Sequence, residues 1–317
     1  MFMDVAVGVD VGASFVKVGL VDEEGRLMAR RVFPIEKEKG LSHLATVLED
    51  VMTQLIRENG VAEGQLRGIG VGLPAFLDAQ GFLHEAINLG WQQLPVQDML
   101  ANRFPWPVKV DNDANLAALA ESWQGHGRGK NPLLCLTLGT GVGGGVIVDG
   151  RLFHGSSHMA GEIGHLPVSP RRWPCRCGRF GCLETVSSAT GMIRLAQEAL
   201  AQGTPSRLAD EQPLTVEAIF RHAGQGDALA RSVLDEAAAG LADALVMVSV
   251  ILNPARILLG GGVMHVAPPK WIQDIETKMH INGLPRAVAH VDVLPARLLN
   301  DAGIIGAAAL FFQLEEE

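Results

Sequence analysis

The sequence lacks a surplus of positive charge. Its 317 residues include 26 lysines and arginines against 35 aspartates and glutamates, which gives a formal net charge of −9 at pH 7. Non-specific binding of nucleic acids requires a basic surface that displaces counterions from the phosphates. A nucleic-acid partner is therefore not expected.

Apolar segments long enough to span a bilayer are also missing. The longest apolar segment, from Leu241 to Leu252, contains Asp243 and is too short for this. The amino terminus carries Asp4 and Asp10 among its apolar residues and has no basic start, unlike a secretory signal peptide. We expect a cytoplasmic protein without a membrane partner, in which cysteines stay reduced.

Low-complexity segments are absent too, and hydrophobic residues make up 48% of the chain, which is enough for two cores. One pattern occurs twice, about 125 residues apart: an apolar strand, a turn with glycine, a second apolar strand, then Asp-Gly or Glu-Gly and Arg-Leu. The first copy begins at Asp4 and the second spans Leu133 to Leu152. Strands alternate with helices after each copy, which predicts an α/β sheet in each of two lobes.

The predicted lobes divide the chain near residue 114. Residues 1–114 and about 302–317 form the predicted small lobe, because a last helix from Ala302 to Phe312 is expected to pack back on it. Residues 115–301 form the predicted large lobe. Helices are also expected from Ser42 to Asn59, from Asn115 to Trp123 and within Ala189 to Leu252.

Two turns with glycine are candidate phosphate sites, namely Asp10 to Ser14 and Gly139 to Gly145. Glycine lets backbone N–H groups approach a phosphate closely. Neither turn matches the P-loop pattern, and the glycines of either one alone could serve hairpin geometry only. Their occurrence in both copies of the repeat favours phosphate binding.

Polar residues follow a predicted strand in the stretch VDNDAN. Asp111, Asn112, Asp113 and Asn115 stand there directly before a predicted helix. One of them could be the helix N-cap, but a single cap needs only one such residue. A carboxylate at the carboxyl end of a strand is a candidate general base.

Three of the four cysteines lie within eight residues, at Cys175, Cys177 and Cys182. Thiolates of this kind, with one further ligand, form a tetrahedral Zn²⁺ site. His165 is the preferred fourth ligand, and His154 and His158 are alternatives. A redox site is the other interpretation, although the CxC spacing differs from the thioredoxin-like CxxC. Two glutamates bracket this module and are candidate sugar ligands, Glu162 and Glu184.

Together, these motifs resemble the ROK family (repressor, open reading frame, kinase). The matching stretches are DVGASFVKVGLVD, GVGLPAFLD, VDNDANLAALAE, LGTGVGGGVIVDGRLFHGSSHMAGEIGH, CRCGRFGCLE, LGGGV and NDAGIIGAA. The resemblance implies a two-lobed, actin-like ATPase (ribonuclease H-like) α/β fold with the active site in the cleft between the lobes. It implies phosphoryl transfer from MgATP to a hexose, a structural Zn²⁺ and a homodimer.

Carried over to this sequence, the resemblance implies roles for the matching residues. Asp113 is the expected catalytic base. The expected sugar-binding residues are Asn88, Asn112, Asp113, Glu162, His165 and Glu184. The expected ATP and Mg²⁺ residues are Asp10, Gly12, Ser14, Thr140, Gly141, Gly261 and Gly262. The expected Zn²⁺ ligands are His165, Cys175, Cys177 and Cys182.

Two positions depart from the family pattern, and both concern the phosphate side. The first loop has Ala13 and Phe15 where the family has glycine and a polar residue, and alanine disfavours a positive φ. The family's GxPG stands here as GLPA, with Ala75. Lys17 is expected to be a solvated hairpin lysine, with a phosphate contact as the alternative.

The kinase interpretation is preferred over a sugar-responsive repressor. The first phosphate loop begins at Asp10, so a DNA-binding helix-turn-helix before it is not expected. The segment Ala86 to Trp91 is similar to bacterial glucokinases, which favours the 6-hydroxyl of glucose and a place in glycolysis. Kinases of N-acetylmannosamine, N-acetylglucosamine, allose or fructose stay open, as does a sugar-sensing protein without turnover.

Overall fold

The computed structural model describes residues 3–313, apart from the side chain of Glu63. The strands are β1 (Val5–Val11), β2 (Phe15–Asp22), β3 (Leu27–Pro34), β4 (Leu66–Leu73), β5 (Phe76–Leu77), β6 (Leu83–Ala86), β7 (Trp91–Leu94), β8 (Val108–Asn112), β9 (Leu133–Leu138), β10 (Val142–Val148), β11 (Arg151–Leu152), β12 (Arg256–Gly260) and β13 (Asp292–Pro295). The helices are α1 (Gly40–Glu58), α2 (Val96–Ala101), α3 (Asp113–Gln124), α4 (Glu184–Ser187), α5 (Ala189–Ala201), α6 (Val216–Gly224), α7 (Ala228–Ile251), α8 (Pro269–Asn282), α9 (Pro285–Val288) and α10 (Ala302–Ala309).

The first copy of the repeat forms one side of a mixed sheet with the strand order β3-β2-β1-β4-β8. Strands β1, β2 and β3 are antiparallel, while β4 and β8 run parallel to β1. Helix α10 packs on β1 and helix α1 packs on β2. A strand covered by helices has little water contact, which explains why β1 is almost continuously apolar and buried.

The second copy forms a sheet of the same design. Its strand order is β11-β10-β9-β12-β13. The hairpin of β10 and β11 is antiparallel, and β9, β12 and β13 are parallel. The predicted internal repeat is thus confirmed as two five-stranded sheets with the same order of strands along the chain.

Helix α10 approaches the first sheet so closely that glycine is required beneath it. A Cβ atom on Gly70 of β4 would lie 1.8 Å from the carbonyl oxygen of Ala307. The helix also packs on α3. The predicted last helix is present over Ala302–Ala309, so it ends three residues before the predicted Phe312, and it is buried apart from Gly303.

The described chain separates into two compact units. The first comprises the chain up to Gly129, Gly145–Gly161 and the chain from Asn300, and the second comprises Lys130–Gly144 and Glu162–Leu299. The predicted lobes place α3 in the large lobe, whereas α3 belongs to the first unit because it packs on α10. The lobe boundaries at 114 and 301 stay a prediction, since contact-defined units and functional lobes need not coincide.

Sequence patterns did not predict the small antiparallel sheet β5-β6-β7, whose strands are only two to four residues long. This sheet presents Asn88 in the turn between β6 and β7. None of the helices within residues 3–313 combines the length and the apolar character that crossing a membrane requires.

Candidate active site and metal centre

The corner between β8 and α3 carries the predicted catalytic base. Asn112 is the helix N-cap, since its Oδ1 accepts hydrogen bonds from the backbone N–H groups of Ala114 at 2.8 Å and Asn115 at 3.3 Å. Its Nδ2 donates to the carbonyl oxygen of Ala75 at 3.2 Å. Asp113 is the first helical residue, two positions before the predicted start. Capping is thus the role of Asn112, and the Asp113 carboxyl is not required for it.

Electrostatics at this corner favour a basic carboxylate. Desolvation by the surrounding protein and, to a smaller extent, the negative charge of Asp10 raise the pKa of Asp113 from 3.8 to about 6. A hydrogen bond from the backbone N–H of Ala114, at 2.9 Å, opposes part of this shift. Asp113 is partly exposed, so a substrate proton can reach it. A carboxylate with a pKa near neutrality is suited to general base catalysis.

Lys17 lies against the first phosphate loop and is not solvated as predicted. Its Nζ donates to Oδ2 of Asp10 at 2.9 Å and to the carbonyl oxygen of Asn300 at 3.2 Å. Only 29% of the Lys17 side chain is exposed. The expectation of a hairpin lysine surrounded by water is therefore wrong, because Lys17 is paired with Asp10 and bonded to the Asn300 carbonyl.

The loop itself is open and unstrained. Gly12, Ala13 and Ser14 connect β1 to β2, and the N–H of Gly12 donates to the carbonyl oxygen of Phe15 at 2.9 Å. Ala13 is not among the residues with positive φ in the described chain. Alanine therefore costs nothing in backbone conformation at this position. Phe15 is 56% exposed.

Asn88 belongs to a turn that is tied to the segment before α1. Its carbonyl oxygen accepts a hydrogen bond from Nζ of Lys37 at 3.2 Å. In return, the indole N–H of Trp91 donates to the carbonyl oxygen of Lys37 at 2.9 Å. These bonds give the short sheet a defined position, and Asn88 is half-buried.

A histidine–aspartate pair adjoins the catalytic corner and was not predicted. His154 Nε2 lies 2.7 Å from Oδ2 of Asp111, and the rings of His154 and His158 stack with centroids 4.5 Å apart. Neither histidine supplies the fourth zinc ligand, so both alternatives to His165 were wrong. Asp111 is buried. The sequence did contain a signal, because a second Asp directly at the strand end needs a partner.

The predicted metal ligands come together in the second unit. The ligand atoms of His165, Cys175, Cys177 and Cys182 all lie within 4.8 Å of one another. Cys177 and Cys182 have their Sγ atoms 3.7 Å apart, and Cys175 Sγ lies 3.7 Å from Nδ1 of His165. Chain reversals at Gly178 and Gly181, both with positive φ, bring the cysteines to one side of the loop.

These distances fit a tetrahedral ion. Zn²⁺ with bonds of about 2.3 Å to sulfur and about 2.05 Å to nitrogen holds two sulfurs roughly 3.8 Å apart, and sulfur and nitrogen roughly 3.6 Å apart. Three thiols and one imidazole are also the donor types that zinc prefers. The four residues are therefore consistent with a zinc site.

The thiols do not resemble a redox centre. Desolvation raises the pKa of Cys175 to about 12 and also raises the pKa of Cys182. Reactive cysteines have lowered pKa values and stand beside cationic groups or helix N-termini. A bound cation reverses this situation, because it deprotonates the coordinating thiols.

Both predicted glutamates contact the metal module. His165 directs Nδ1 toward Cys175, while its Nε2 lies 3.8 Å from Oε2 of Glu162. Glu184 begins α4, where its Oε1 lies 3.7 Å from Cys175 Sγ. Its Oε2 accepts a hydrogen bond from the backbone N–H of Val142 at 3.1 Å. Glu184 thus connects the cysteine loop to the second glycine turn.

At this contact, any residue larger than Gly141 would have to displace the Glu184 carboxylate. A Cβ atom there would lie 2.2 Å from Oε2 of Glu184. A hydrogen bond fixes the backbone at Thr140, whose carbonyl oxygen accepts from Oγ1 of Thr190 at 2.7 Å. In the same unit, Gly261 and Gly262 form the turn that leaves β12, and Gly261 has a φ of +85°.

The predicted site residues fall into two groups, one in each unit. In the first unit these are Asp10, Gly12, Ser14, Asn88, Asn112 and Asp113. In the second unit they are Thr140, Gly141, Glu162, His165, Cys175, Cys177, Cys182, Glu184, Gly261 and Gly262. Each group combines sugar-binding and phosphate-binding candidates.

Comparison with known proteins identifies the relatives of this chain. A glucokinase from Halalkalibacterium halodurans is 39% identical over 315 residues, which is 98% of this chain and 95% of that protein. A ROK glucokinase structure from Streptomyces griseus, solved with glucose and AMPPNP, matches with a TM-score of 0.78 at 30% identity and covers 96% of this chain and 98% of its own. The DNA-binding transcriptional repressor Mlc of Escherichia coli is 29% identical over 293 residues, 92% of this chain and 71% of the repressor.

The structural match confirms the predicted α/β fold of the actin-like ATPase type. The sequence profile of the ROK family matches residues 6–314, nearly the whole chain. Since both the profile and full-length relatives above 30% identity agree, the chain belongs to the ROK family.

Proposed function

We propose that this protein is an ATP-dependent hexose kinase that transfers the γ-phosphoryl group to the 6-hydroxyl of glucose. The observation that carries the proposal is the Asp113 carboxyl, which stands at the N-terminus of α3 with a pKa of about 6. Such a group is largely ionised at neutral pH and still basic enough to accept a hydroxyl proton as transfer proceeds.

The sugar side of the site follows from the polar groups described above. Asn88, Asn112, Glu162, His165 and Glu184 are the proposed sugar ligands. Carboxylates accept strong, directional hydrogen bonds from hydroxyl groups. Asn112 is fixed by the helix cap and by the Ala75 carbonyl, so its position requires no further ordering when the sugar binds.

The nucleotide side uses the two glycine turns. We assign Asp10, Gly12 and Ser14 to the first phosphate and Mg²⁺ site, Thr140 and Gly141 to the second phosphate site, and Gly261 and Gly262 to the nucleotide. Mg²⁺ prefers carboxylate and phosphate oxygens, and Asp10 offers such an oxygen at the end of β1. When bound, Mg²⁺ supplies charge neutralisation for the transferring phosphate.

The metal module has a positional role in this proposal. Four protein ligands close a zinc site, so no coordination position is left to activate water or substrate. Of the proposed zinc ligands, His165 lies beside Glu162 and Cys175 lies beside Glu184. Zinc would therefore bind one proposed sugar ligand, His165, hold Glu162 and Glu184 in place through it and Cys175, and take no part in the reaction.

Glucose is the first candidate substrate because the most similar relatives described above are glucokinases. N-acetylmannosamine, N-acetylglucosamine, allose and fructose are the alternatives, because they differ from glucose by groups that a few side-chain contacts select. A sugar-sensing regulator without turnover is the non-enzymatic alternative, and the likeness to the Mlc repressor favours its consideration.

A coupled assay over these five sugars with ATP, GTP and polyphosphate tests the proposal. We expect the largest kcat/KM for glucose with ATP. Turnover on another hexose only would correct the substrate but keep the kinase. Folded protein that binds glucose in calorimetry and phosphorylates none of the sugars would instead support the regulator.

A further inference from the structure

The histidine–aspartate pair beside the catalytic corner has no part in the function proposed so far. We propose that His154 is a positioning residue that holds Asn112 and Asp113 in their reactive arrangement, acting through Asp111. This inference rests on the proposed function, in which Asn112 binds the sugar and Asp113 is the base.

Asp111 is the connection between His154 and the corner. Its Oδ1 accepts hydrogen bonds from the backbone N–H of Asn112 at 2.7 Å and from Nδ2 of Asn115 at 2.9 Å. Its Oδ2 faces Nε2 of His154 at 2.7 Å. One buried carboxylate thus ties the last strand residue, the first turn of α3 and the segment after β11 together. A charge-assisted bond to imidazolium compensates for the burial of this carboxylate.

His158 completes the arrangement from the other side. Its φ of +57° is uncommon for a residue other than glycine, and this conformation lays its ring on that of His154 at an interplanar angle of 23°. The stacked ring lies against that of His154, whose Nε2 faces Asp111. Strain of this kind persists where the surrounding structure requires it, and it is frequent at functional sites.

The charges around the pair support one protonated and one neutral ring. The hydrogen bond with Asp111 raises the pKa of His154. Desolvation and then the charge of His154 lower the pKa of His158, while the negative charges of Asp111 and Asp78 raise it in part. These surroundings therefore favour the protonated form of His154 and the neutral form of His158.

Loss of the charge on His154 would affect Asn112 through a single intervening residue, Asp111. Without its cationic partner, the buried Asp111 carboxylate is undercompensated and gains by turning toward water. Any such turn releases the N–H of Asn112 and the side chain of Asn115. A displacement of about 1 Å at reacting groups can reduce a rate on the order of 100-fold.

The experiment compares His154→Ala with His154→Gln, whose amide nitrogen can occupy the position of the ring Nε2. His43→Gln is the matched control, because His43 Nε2 also lies 2.7 Å from a carboxylate, Glu36, but on the surface of α1. We expect His154→Ala to lower kcat about 10- to 100-fold with a smaller change in KM for the hexose. His154→Gln, which keeps a hydrogen-bond donor but no charge, should recover only part of kcat, and the control should match the wild type.

The pH profile separates positioning from simple structural support. Because the folded-state pKa of His154 is raised, its imidazolium persists to a higher pH than in an ordinary histidine and is lost as pH rises through that pKa. The kcat of the wild type should therefore fall on the alkaline side toward that of His154→Gln. The kcat of His154→Gln should not change over this range, because its amide cannot titrate. Equal kcat and equal alkaline profiles for wild type and His154→Ala would overturn the proposal.

A measurement without turnover distinguishes this failure from failure of the proposed function. In the wild type, the backbone amide signal of Asn112 in nuclear magnetic resonance should shift with the titration of His154, and this shift should vanish in His154→Gln. An Asn112 signal that ignores the titration refutes the positioning role, even in an active kinase. A shifting signal in a protein that phosphorylates no sugar supports the positioning role and refutes the kinase alone.

Discussion

Asp113 shows at the residue scale how a side chain can be disfavoured by the fold and still useful to the reaction. Its carboxyl is desolvated and faces the charge of Asp10, so ionisation costs more here than in water. The same environment makes the carboxylate a stronger base. The stability of the fold and the basicity of the site are therefore opposed at this one residue.

The substitution Asp113→Asn should separate these two effects. Asparagine keeps an oxygen that accepts from the N–H of Ala114 and removes the charge. We expect kcat to fall by about 100-fold or more. Above pH 6 the ionised wild-type carboxyl destabilises the fold, since its pKa is raised from 3.8 to about 6. The free energy of unfolding of the variant at pH 8 should therefore exceed that of the wild type by as much as about 3 kcal/mol.

Urea denaturation at two pH values measures this difference. The advantage of the variant should shrink as pH falls from about 6 to below 3.8, because the wild-type carboxyl then takes up its proton in both the folded and the unfolded state. In kinetics, kcat/KM of the wild type should decrease as pH falls through about 6. A kcat of Asp113→Asn near that of the wild type would show that another group is the base.

At the scale of elements, the second glycine turn and α4 are fitted to each other. Glu184 at the start of α4 accepts from the N–H of Val142, and only a hydrogen atom fits between Gly141 and this carboxylate. The contact couples a proposed phosphate turn to a proposed sugar ligand. A substitution that adds a side chain at position 141 should therefore also move Glu184 of the helix.

Gly141→Ala should displace Glu184, whereas Gly139→Ala in the same turn meets no atom within 4 Å. We expect Gly141→Ala to weaken glucose binding about tenfold or more, because displacing one proposed sugar ligand removes a charge-assisted hydrogen bond worth roughly 1.5–3 kcal/mol. Calorimetry with glucose alone measures this without nucleotide. Equal glucose affinities for the two variants would contradict the proposed role of Glu184.

The cysteine loop is the second element whose role can be tested. A closed site of four ligands should hold about one zinc ion per chain, and its binding energy is part of the folding energy. Elemental analysis should find this ion in the wild type and in Cys135→Ala, since Cys135 is buried in β9. Cys177→Ala should lose the metal, melt at a lower temperature and bind glucose more weakly. A metal-free wild type of full stability would exclude the site.

At the scale of the whole molecule, the homodimer stays a prediction. Helices α7 and α8 end in exposed apolar side chains, with Ile251 at 86% and Ile281 at 75% exposure. Burial of such groups against a second copy of this chain would favour association. Sedimentation should then give twice the 33.8 kDa of one chain, and Ile251→Glu should shift the protein toward the monomer. A wild-type monomer at micromolar concentration would contradict the prediction.

The sequence alone determined the features that depend on residues close together in the chain. The strands and helices of both repeats follow from local apolar patterns, and the four metal ligands lie between His165 and Cys182. The corner of Asn112 and Asp113 is contiguous as well. Such features are predictable because their spacing in sequence limits their spacing in space. The start of α3 was missed by two residues, since Asn112 and Asp113 are both plausible caps.

Only the tertiary structure decided which distant groups meet. Lys17 contacts Asn300, Asp111 pairs with His154, and Glu184 bonds to Val142, although 283, 43 and 42 residues separate these partners. No local pattern encodes such pairs, because the packing of whole elements sets their distances. The pKa of Asp113 has the same origin, since desolvation and the charge of Asp10 exist only in the folded chain. The sequence therefore identified the chemical groups, and folding determined which groups they contact and how basic the Asp113 carboxylate is.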